Sequence, residues 1–332
     1  MLVDLPRRNS HRCSPPEVDY AGALEGMVLA RTASFVQLAG AARFARSAAP
    51  EFFRQYKRER KRPVAPTPFV PHPKQWPDEG LHAAWLGHST VLLKIDGSTI
   101  LTDPVLADRC GVRMGPVTVG IKRLVAPALV RSQLPHIDLI LLSHAHFDHL
   151  DRPTLRSLER AGTAVVTAPN TSDLLRARRY KSVQEVSWGE RVRVGPLSIL
   201  GIRVNHWGAR FRTDTHRGFN GYLIETKRHR VVFGGDTAMT DSFRAVRGAR
   251  PVDLAIMPIG AYDPWIHVHC NPEQAWRMGA DCGAEFLLPV HHQTFRLSRE
   301  SFLEPVERFV AAAGSRPQRV VTTRVGEEWS QN

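Results

Sequence analysis

The chain has 332 residues, of which 42% are hydrophobic and 8% aromatic, values typical of a globular protein with a full core. No apolar run is long enough to predict a membrane span, and residues 1–20 lack the apolar stretch of a secretory signal. The formal net charge of +13 is spread along the sequence, which argues against a dedicated nucleic-acid patch and favours an anionic substrate or an acidic lipid surface. A basic surface that contacts only solvent explains the charge equally well.

The cysteines are scattered along the chain, at Cys13, Cys110, Cys270 and Cys282. They form no C-x-x-C pair and no dense framework, so we predict free thiols in a reducing compartment. The expected location is therefore the cytoplasm.

The first 80 residues differ in composition from the rest. Residues 1–20 offer little apolar surface to bury. Within residues 20–61, Leu24, Val28, Phe35 and Leu38 recur at helical spacing, and the basic run RQYKRERKR follows. Prolines are dense in residues 63–77 and predict an extended linker. We therefore predict a basic helical extension with a Pro-rich linker over residues 1–80 and the main domain over residues 81–332.

Beyond Gly80 the pattern changes to short strands. The segment HAAWLGHSTVLLKIDGSTILTDPV predicts three strands, with a hairpin turn at Asp96-Gly97. Later apolar runs predict further strands over residues 137–142, 164–167, 197–204, 231–233, 254–258 and 286–290.

Helices are expected between some of these strands. Asp151 is a candidate N-cap with Pro153 in the first turn, and Asn271 is another, with Pro272 at the first helical position. A third helix is expected to begin at Ser298 and to end at Gly314. Strand-rich halves with interspersed helices predict an α/β layered sandwich.

The strongest chemical signal is the segment HAHFDH, which follows the apolar run IDLILLS directly. His144 and His146 alternate and can turn toward one point, while Asp148 and His149 can reach a second. Imidazole nitrogens and carboxylate oxygens both bind zinc at ~2.0–2.2 Å. The segment therefore predicts a turn that holds two adjacent metal ions, rather than a turn of solvated histidines.

Three later residues also stand at the ends of predicted strands. They are His206 after LSILGIRVN, Asp236 after VVFGG, and His291 after FLLPV. Because the ends of neighbouring strands gather at one edge of a sandwich, we expect these side chains to meet the HAHFDH turn.

The order HAHFDH, NHW, GGDT and a late histidine after a strand resembles the metallo-β-lactamase superfamily. The segments WLGHSTVLLKIDGSTILTDP, MPIGAYDP and PVHHQTF are similar to the branch that contains the phospholipase D hydrolysing N-acylphosphatidylethanolamine. The resemblance covers about residues 81–310 and implies an αββα sandwich. It also implies that one zinc is held by His144, His146 and His206, the other by Asp148, His149 and His291, and that Asp236 bridges them.

Such a pair of zinc ions, ~3.5–4 Å apart, would activate a shared water as hydroxide and polarise a phosphoryl or carbonyl oxygen. Asp148 would orient that hydroxide and accept its proton. Asp103 in LTDP is expected to orient a ligand imidazole, with a plain turn before Pro104 as the alternative. His88 is a candidate for the same kind of support.

His269 aligns with a histidine near the metals of the phospholipase branch. It is expected to bind the substrate phosphate or to protonate the leaving group. His292 stands where the phospholipase has a bulky aromatic residue, so the shape of the pocket does not carry over. His267 receives no role.

The leading functional prediction is a phosphodiesterase that acts on N-acyl ethanolamine phospholipids. Hydrolysis of a lactone or another acyl ester stays open, because the same hydroxide attacks carbonyl carbon. A nuclease ranks lower since no basic aromatic module is present, and a non-catalytic zinc protein would require a lost ligand. Iron or manganese also suits imidazole-carboxylate ligands.

The resemblance also suggests contact with a membrane. The apolar face at residues 24–38 and the basic residues 54–62 would lay the enzyme on the inner face of an anionic bilayer. The alternatives are that this helix packs on the catalytic domain or supports a homodimer.

Overall fold

The computed structural model describes residues 59, 61–114, 117–211 and 213–331. The predicted segments over residues 1–58 lie outside the described residues. From Arg62 onward the chain forms one compact unit. The Pro-rich segment is part of it, because Arg62 Nη2 donates to the carbonyl oxygens of Lys122 and Arg123, at 2.9 and 3.0 Å. Trp76 Nε1 likewise donates to Glu328 at 2.9 Å.

The regular elements of the described chain are mostly short strands. The strands are β1 (Leu81–Gly87), β2 (Thr90–Ile95), β3 (Ser98–Thr102), β4 (Arg109–Met114), β5 (Val117–Lys122), β6 (Leu139–Leu142), β7 (Ala164–Thr167), β8 (Ser182–Glu185), β9 (Arg191–Val194), β10 (Leu197–Ile202), β11 (Gly221–Glu225), β12 (Arg230–Phe233), β13 (Val252–Pro258), β14 (Ala284–Val290) and β15 (Glu328–Gln331). The α-helices are α1 (Arg152–Ser157), α2 (Pro272–Asp281) and α3 (Glu304–Ala312). Short 3₁₀ turns connect several of them.

These strands form two mixed sheets and one separate hairpin. One sheet has the order β15-β1-β2-β3-β6-β7-β8, the other has the order β14-β13-β12-β11-β10-β9, and β4 pairs only with β5. In the first sheet β3, β6, β7 and β8 run parallel, so their carboxyl ends lie at the same edge. In the second sheet β12, β13 and β14 do the same.

The alternation of side chains along β13 shows how the layers pack. Leu254 and Ile256 point between the two sheets and belong to the main apolar cluster. Ala255 and Met257 point the other way, into a second cluster that includes Phe309 of α3 and residues of α2. A strand that is buried on both faces has a continuous run of apolar residues, as residues 254–257 (LAIM) of β13 do. The predicted α/β sandwich fold is thereby confirmed.

The predicted strands are present, with ends that differ by up to two residues. Asp96 and Gly97 both have positive φ, 46° and 83°, as expected for a tight two-residue hairpin turn. Asp151 and Asn271 are the N-caps of α1 and α2, as predicted.

The start of α3 was predicted wrongly. The helix begins at Glu304 rather than at Ser298. The Ser298 hydroxyl instead donates to Glu300, and the Glu300 carboxylate also accepts from the Ala261 backbone N–H. This stretch is therefore hydrogen-bonded to the loop that contains Ala261. The end near Gly314 is correct, since Gly314 has φ +57°. The hairpin β4–β5 was not foreseen, although Cys110, Val112 and Met114 of β4 alternate with Arg109, Gly111 and Arg113.

Within the part of the chain that the structure describes, no helix has both the length and the apolar content needed to cross a bilayer.

The cap of α2 provides a stability test. Asn271 Oδ1 accepts the Gln274 N–H at 2.9 Å, and Gln274 Oε1 accepts the Asn271 N–H at 3.1 Å. We expect Asn271→Ala to lower the free energy of unfolding by about 0.5–2 kcal/mol, because it leaves a helix-end donor without its acceptor. Denaturant unfolding measures this, with the exposed Gln318→Ala as control. Equal midpoints for both variants would contradict the assignment of the cap.

Candidate metal centre

The segment HAHFDH forms a tight turn at the carboxyl end of β6. Residues 143–150 are called the histidine loop below. The N–H groups of His149 and Leu150 both donate to the His146 carbonyl, at 3.1 and 2.8 Å, which closes the turn. The Asn220 N–H donates to the Ser143 carbonyl at 2.9 Å, so the loop is also fixed to the start of β11 in the opposite sheet. The turn therefore lies where the carboxyl ends of strands from both sheets meet.

Three histidines converge at one side of this turn. Nε2 of His144 lies 2.8 Å from Nδ1 of His146, and Nε2 of His206 lies 3.4 Å from the same nitrogen. His206 Nδ1–H donates to the Val268 carbonyl at 2.9 Å, which leaves the Nε2 lone pair directed into the cluster. With Asp236 they offer four ligand atoms, all within 4.8 Å of one another.

A second group of ligand atoms lies beside the first. Nε2 of His149 and Nε2 of His291 are each 3.6 Å from Asp148 Oδ2. Their rings stack with centroids 5.2 Å apart. His88 joins this group through Nε2, which donates to Asp148 Oδ2 at 3.0 Å.

One oxygen of Asp236 faces both groups. Its Oδ2 is 3.1 Å from Nε2 of His149 and from Nε2 of His291. The same oxygen is 3.9 Å from Nε2 of His144 and 3.8 Å from Nε2 of His206. The structure thus brings all seven predicted ligand residues together, with Asp236 between the two sets.

A buried carboxylate behind the site orients two of the histidines. Asp103 Oδ2 accepts from His149 Nδ1–H at 2.7 Å and from the Ser143 hydroxyl at 2.5 Å. Because the Ser143 proton is used there, His144 Nδ1–H donates to the Ser143 oxygen, at 2.9 Å. One carboxylate oxygen therefore orients both His144 and His149 from the far side, directly or through Ser143, so that the Nε2 atoms of one histidine in each group face the site.

Burial controls the ionisation of these groups. Desolvation holds the pKa of His144 and of His206 well below the usual value and lowers the pKa of His146 to about 4. Burial alone would also lower the pKa of His291. The carboxylates of Asp236 and Asp148 outweigh this effect and raise the pKa to about 9. The first three rings are neutral at pH 7, the form that binds a metal ion.

The remaining predicted residues have different surroundings. His269 lies over the site, with Nδ1 3.8 Å from Asp236 Oδ2, and burial lowers its pKa to about 4. His292 is buried and stacks on Trp85 with centroids 4.4 Å apart, away from the ligand atoms of the two groups. His267 is exposed. Ser143 was not predicted, although its place directly before the first ligand could have suggested a supporting role.

An open cavity of about 230 Å³ reaches the site from solvent. His146, Asp148, Asp236 and His269 line its polar side. Trp207, Trp265 and Leu297 line the other side, and both tryptophans are nearly half exposed. A substrate would therefore meet ligand-type polar atoms at the bottom and aromatic surface at the rim.

The donor set fits metal ions. His149 Nε2, His291 Nε2 and Asp236 Oδ1 are buried without a hydrogen-bond partner, and such groups are costly unless a ligand or ion satisfies them. Five histidines and two aspartates that converge in two adjacent groups are typical of a transition-metal centre.

Comparison with known proteins agrees with this geometry. Residues 98–292 match the model of the family described as "Beta-lactamase superfamily domain". The chain belongs to this superfamily. It is a metal-dependent hydrolase of the metallo-β-lactamase fold, and the predicted resemblance is confirmed.

Two relatives and one solved structure show the extent of the similarity. An uncharacterized protein of Mycobacterium tuberculosis is 37% identical over 261 residues, which cover 76% of this chain and 69% of the relative. The N-acyl-phosphatidylethanolamine-hydrolyzing phospholipase D 1 of Caenorhabditis elegans is 30% identical over 274 residues, 76% of each chain. A metallo hydrolase of Ignicoccus hospitalis shares the fold, with a TM-score of 0.57, 19% identity, and coverage of 76% of this chain and 98% of that one.

The role of Asp103 can be tested through metal retention in this hydrolase. We expect Asp103→Asn to weaken metal binding by about 10–100-fold, because an amide does not accept equally from His149 and Ser143. Competition with a chromophoric chelator measures the affinity. The control is Asp241→Asn, an exposed carboxylate that pairs with Arg244. Unchanged metal affinity in Asp103→Asn would show that the buried carboxylate does not support the ligands.

Proposed function

We propose that this hydrolase is a phosphodiesterase with two zinc ions, and that its substrates are phospholipids of the N-acyl ethanolamine type. The observation that carries the proposal is the shared oxygen Asp236 Oδ2, which faces both groups of ligand atoms at 3.1–3.9 Å. A carboxylate in that place suits a bridge between two ions. The name of the C. elegans relative supports the choice of phosphodiester over acyl ester.

His144, His146 and His206 would hold one ion, Asp148, His149 and His291 the other, and Asp236 would contact both. When bound, a pair of zinc ions supplies an activated water and stabilises the charge that develops on a phosphoryl group. The chain's own residues then have to place the phosphate, exclude competing water and manage protons.

Asp148 is suited to managing the proton of the attacking water. The carboxylate lies at the bottom of the cavity, and the surrounding histidines outweigh its burial and hold its pKa well below the usual value. His88 donates to its Oδ2 and thereby fixes the direction of the carboxylate. Asp148 is therefore ionised and oriented before the substrate arrives, as a proton acceptor must be.

His269 is suited to contacting the substrate. Its ring lines the cavity, and its Nδ1 is buried without a partner. Since the ring is neutral at pH 7, it donates a hydrogen bond to a phosphate oxygen or to the leaving-group oxygen. The aromatic rim at Trp207 and Trp265 accepts the apolar part of a lipid.

The proposal predicts both metal content and substrate preference. Elemental analysis of the purified protein should give close to two ions per chain, mainly zinc. In a panel of bis(p-nitrophenyl) phosphate, lactones and N-acyl phosphatidylethanolamine, the phosphodiesters should be hydrolysed and the lactones should not. Preferred turnover of lactones would overturn the phosphodiesterase proposal and support the acyl hydrolase. A protein that takes up no metal would overturn both.

Substitutions at Asp148 and His269 should separate their roles. Asp148→Asn should reduce kcat by about 10²–10⁴-fold, since it removes a proton acceptor and a ligand together. His269→Ala should keep the full metal content and lose most activity on substrates with poor leaving groups. The neighbouring exposed His267→Ala is the control. Loss of one metal ion in His269→Ala would instead show that His269 is a ligand. The test is needed because His269 Nδ1 lies only 3.8 Å from Asp236 Oδ2.

A further inference from the structure

The outer side of the histidine loop forms the wall of a second cavity. This cavity has a volume of about 440 Å³ and lies between the loop, the hairpin β4–β5 and helix α1. Phe147, at the centre of HAHFDH, lines it, whereas His146 and Asp148 on either side line the catalytic cavity. In the part of the chain that the structure describes, no residue lines both cavities. The second cavity is therefore separated from the metal centre by the thickness of one loop.

Arginines dominate the polar lining of this cavity. Its walls include Arg113 from the hairpin, Arg152 and Arg156 from α1, and Arg210 from the segment after β10, and none of the described residues that line it is acidic. The carboxylates nearby are engaged elsewhere. Glu159 binds Arg176 in a bidentate pair, and Asp173 binds Arg217.

Arg152 and Arg156 carry uncompensated charge. They are one helical turn apart, so their side chains share one face of α1, where like charges repel. Both are exposed, and among the described residues neither forms an ion pair with a carboxylate. Two guanidinium groups held close without a counter-charge form a natural site for an anion.

Arg210 is fixed in place by the histidine loop itself. Its Nη1 donates to the carbonyl oxygens of Ala145 and Leu150, both at 2.8 Å, and its guanidinium stacks over the Phe147 ring at 3.9 Å. Burial and the positive charge of the nearby Arg152 together lower the pKa of Arg210 to about 10, and the carboxylate of Asp151 opposes this shift. Within the described chain no hydrogen bond joins its Nε or Nη2 to another residue.

The geometry points to a second anion site in this cavity, and we propose that its ligand is a phosphate group attached to an apolar moiety. A phosphate presents three oxygens and up to two charges, which match several guanidinium groups better than a planar carboxylate does. The other walls are apolar and include Val112, Phe147, Leu174 and Phe211, which suit the hydrocarbon part of a phospholipid. The headgroup of an anionic lipid and free phosphate share this chemistry, and the experiment below separates them.

The first arm uses inorganic phosphate and the full-length, metal-loaded protein. Titration calorimetry compares the wild type with the double variant Arg152→Gln/Arg156→Gln. The control is Arg178→Gln/Arg316→Gln, which removes two exposed positive charges outside the cavity. We expect phosphate to bind the cavity variant at least about tenfold more weakly at this site, since two charged hydrogen-bond donors are removed, while the control binds as the wild type does.

The second arm uses vesicles of phosphatidylglycerol in phosphatidylcholine, with pure phosphatidylcholine vesicles as the neutral reference. Weaker sedimentation of the cavity variant alone with phosphatidylglycerol would identify a lipid headgroup as the ligand. Equal sedimentation of all three proteins, with weaker phosphate binding by the cavity variant, would show that the site takes a soluble phosphate and would overturn the apolar part of the proposed ligand. The single variant Arg156→Gln should give an intermediate effect and guards against misfolding of the double variant.

The site would be disproved if the cavity variant and the control matched the wild type in both arms, because phosphate would then bind only at the metal centre. Hydrolysis of bis(p-nitrophenyl) phosphate should be unchanged in the cavity variant when no phosphate is added. Failure of the proposed phosphodiesterase reaction would leave this binding result intact, so the two proposals can fail separately.

Discussion

The arrangement of the metal centre depends on a single buried oxygen, Asp103 Oδ2, which accepts from both His149 and Ser143. Asp103 is held at the end of β3 by its own N–H, which donates to Leu141 of the parallel neighbour β6. Its φ of 31° turns the side chain under the histidine loop. Burial raises the pKa of Asp103, and the hydrogen bonds from His149 and Ser143 oppose that rise. The same contacts that orient the ligands are therefore the ones that stabilise the carboxylate in the core.

Much of the site was predictable from the sequence because its chemistry is local or lies at strand ends. Four ligand candidates fall within HAHFDH, and Asp236, His206 and His291 each follow an apolar run. Three contacts of the site were not predictable from the sequence. They are the hydrogen bond from His144 to Ser143, the hydrogen bond from His206 to the Val268 carbonyl, and the position of Asp236 Oδ2 between the two groups. They depend on how two sheets meet, and no spacing in one segment encodes that.

The two errors in the fold have different origins. Ser298 is a good helix-starting residue by type, yet its hydroxyl and Glu300 serve a contact with Ala261, about forty residues away in sequence. At Ser298 a tertiary contact overrides a local preference. The hairpin β4–β5 is a different case, because both of its strands do alternate apolar residues with polar residues or glycine, and the pattern was overlooked. Residues next to these places line the arginine-lined cavity and the cavity over the candidate metal site.

The seven candidate ligand residues are spread from His144 to His291, and they follow strands of both sheets. A fragment of the chain that lacks either half could not assemble the donor set. High metal affinity therefore requires the whole folded domain. During synthesis the histidine loop leaves the ribosome well before His291 does, and until then it offers only a partial, weaker chelate. Metal binding is thereby coupled to folding of the whole domain, because only the complete structure brings all the candidate donors together.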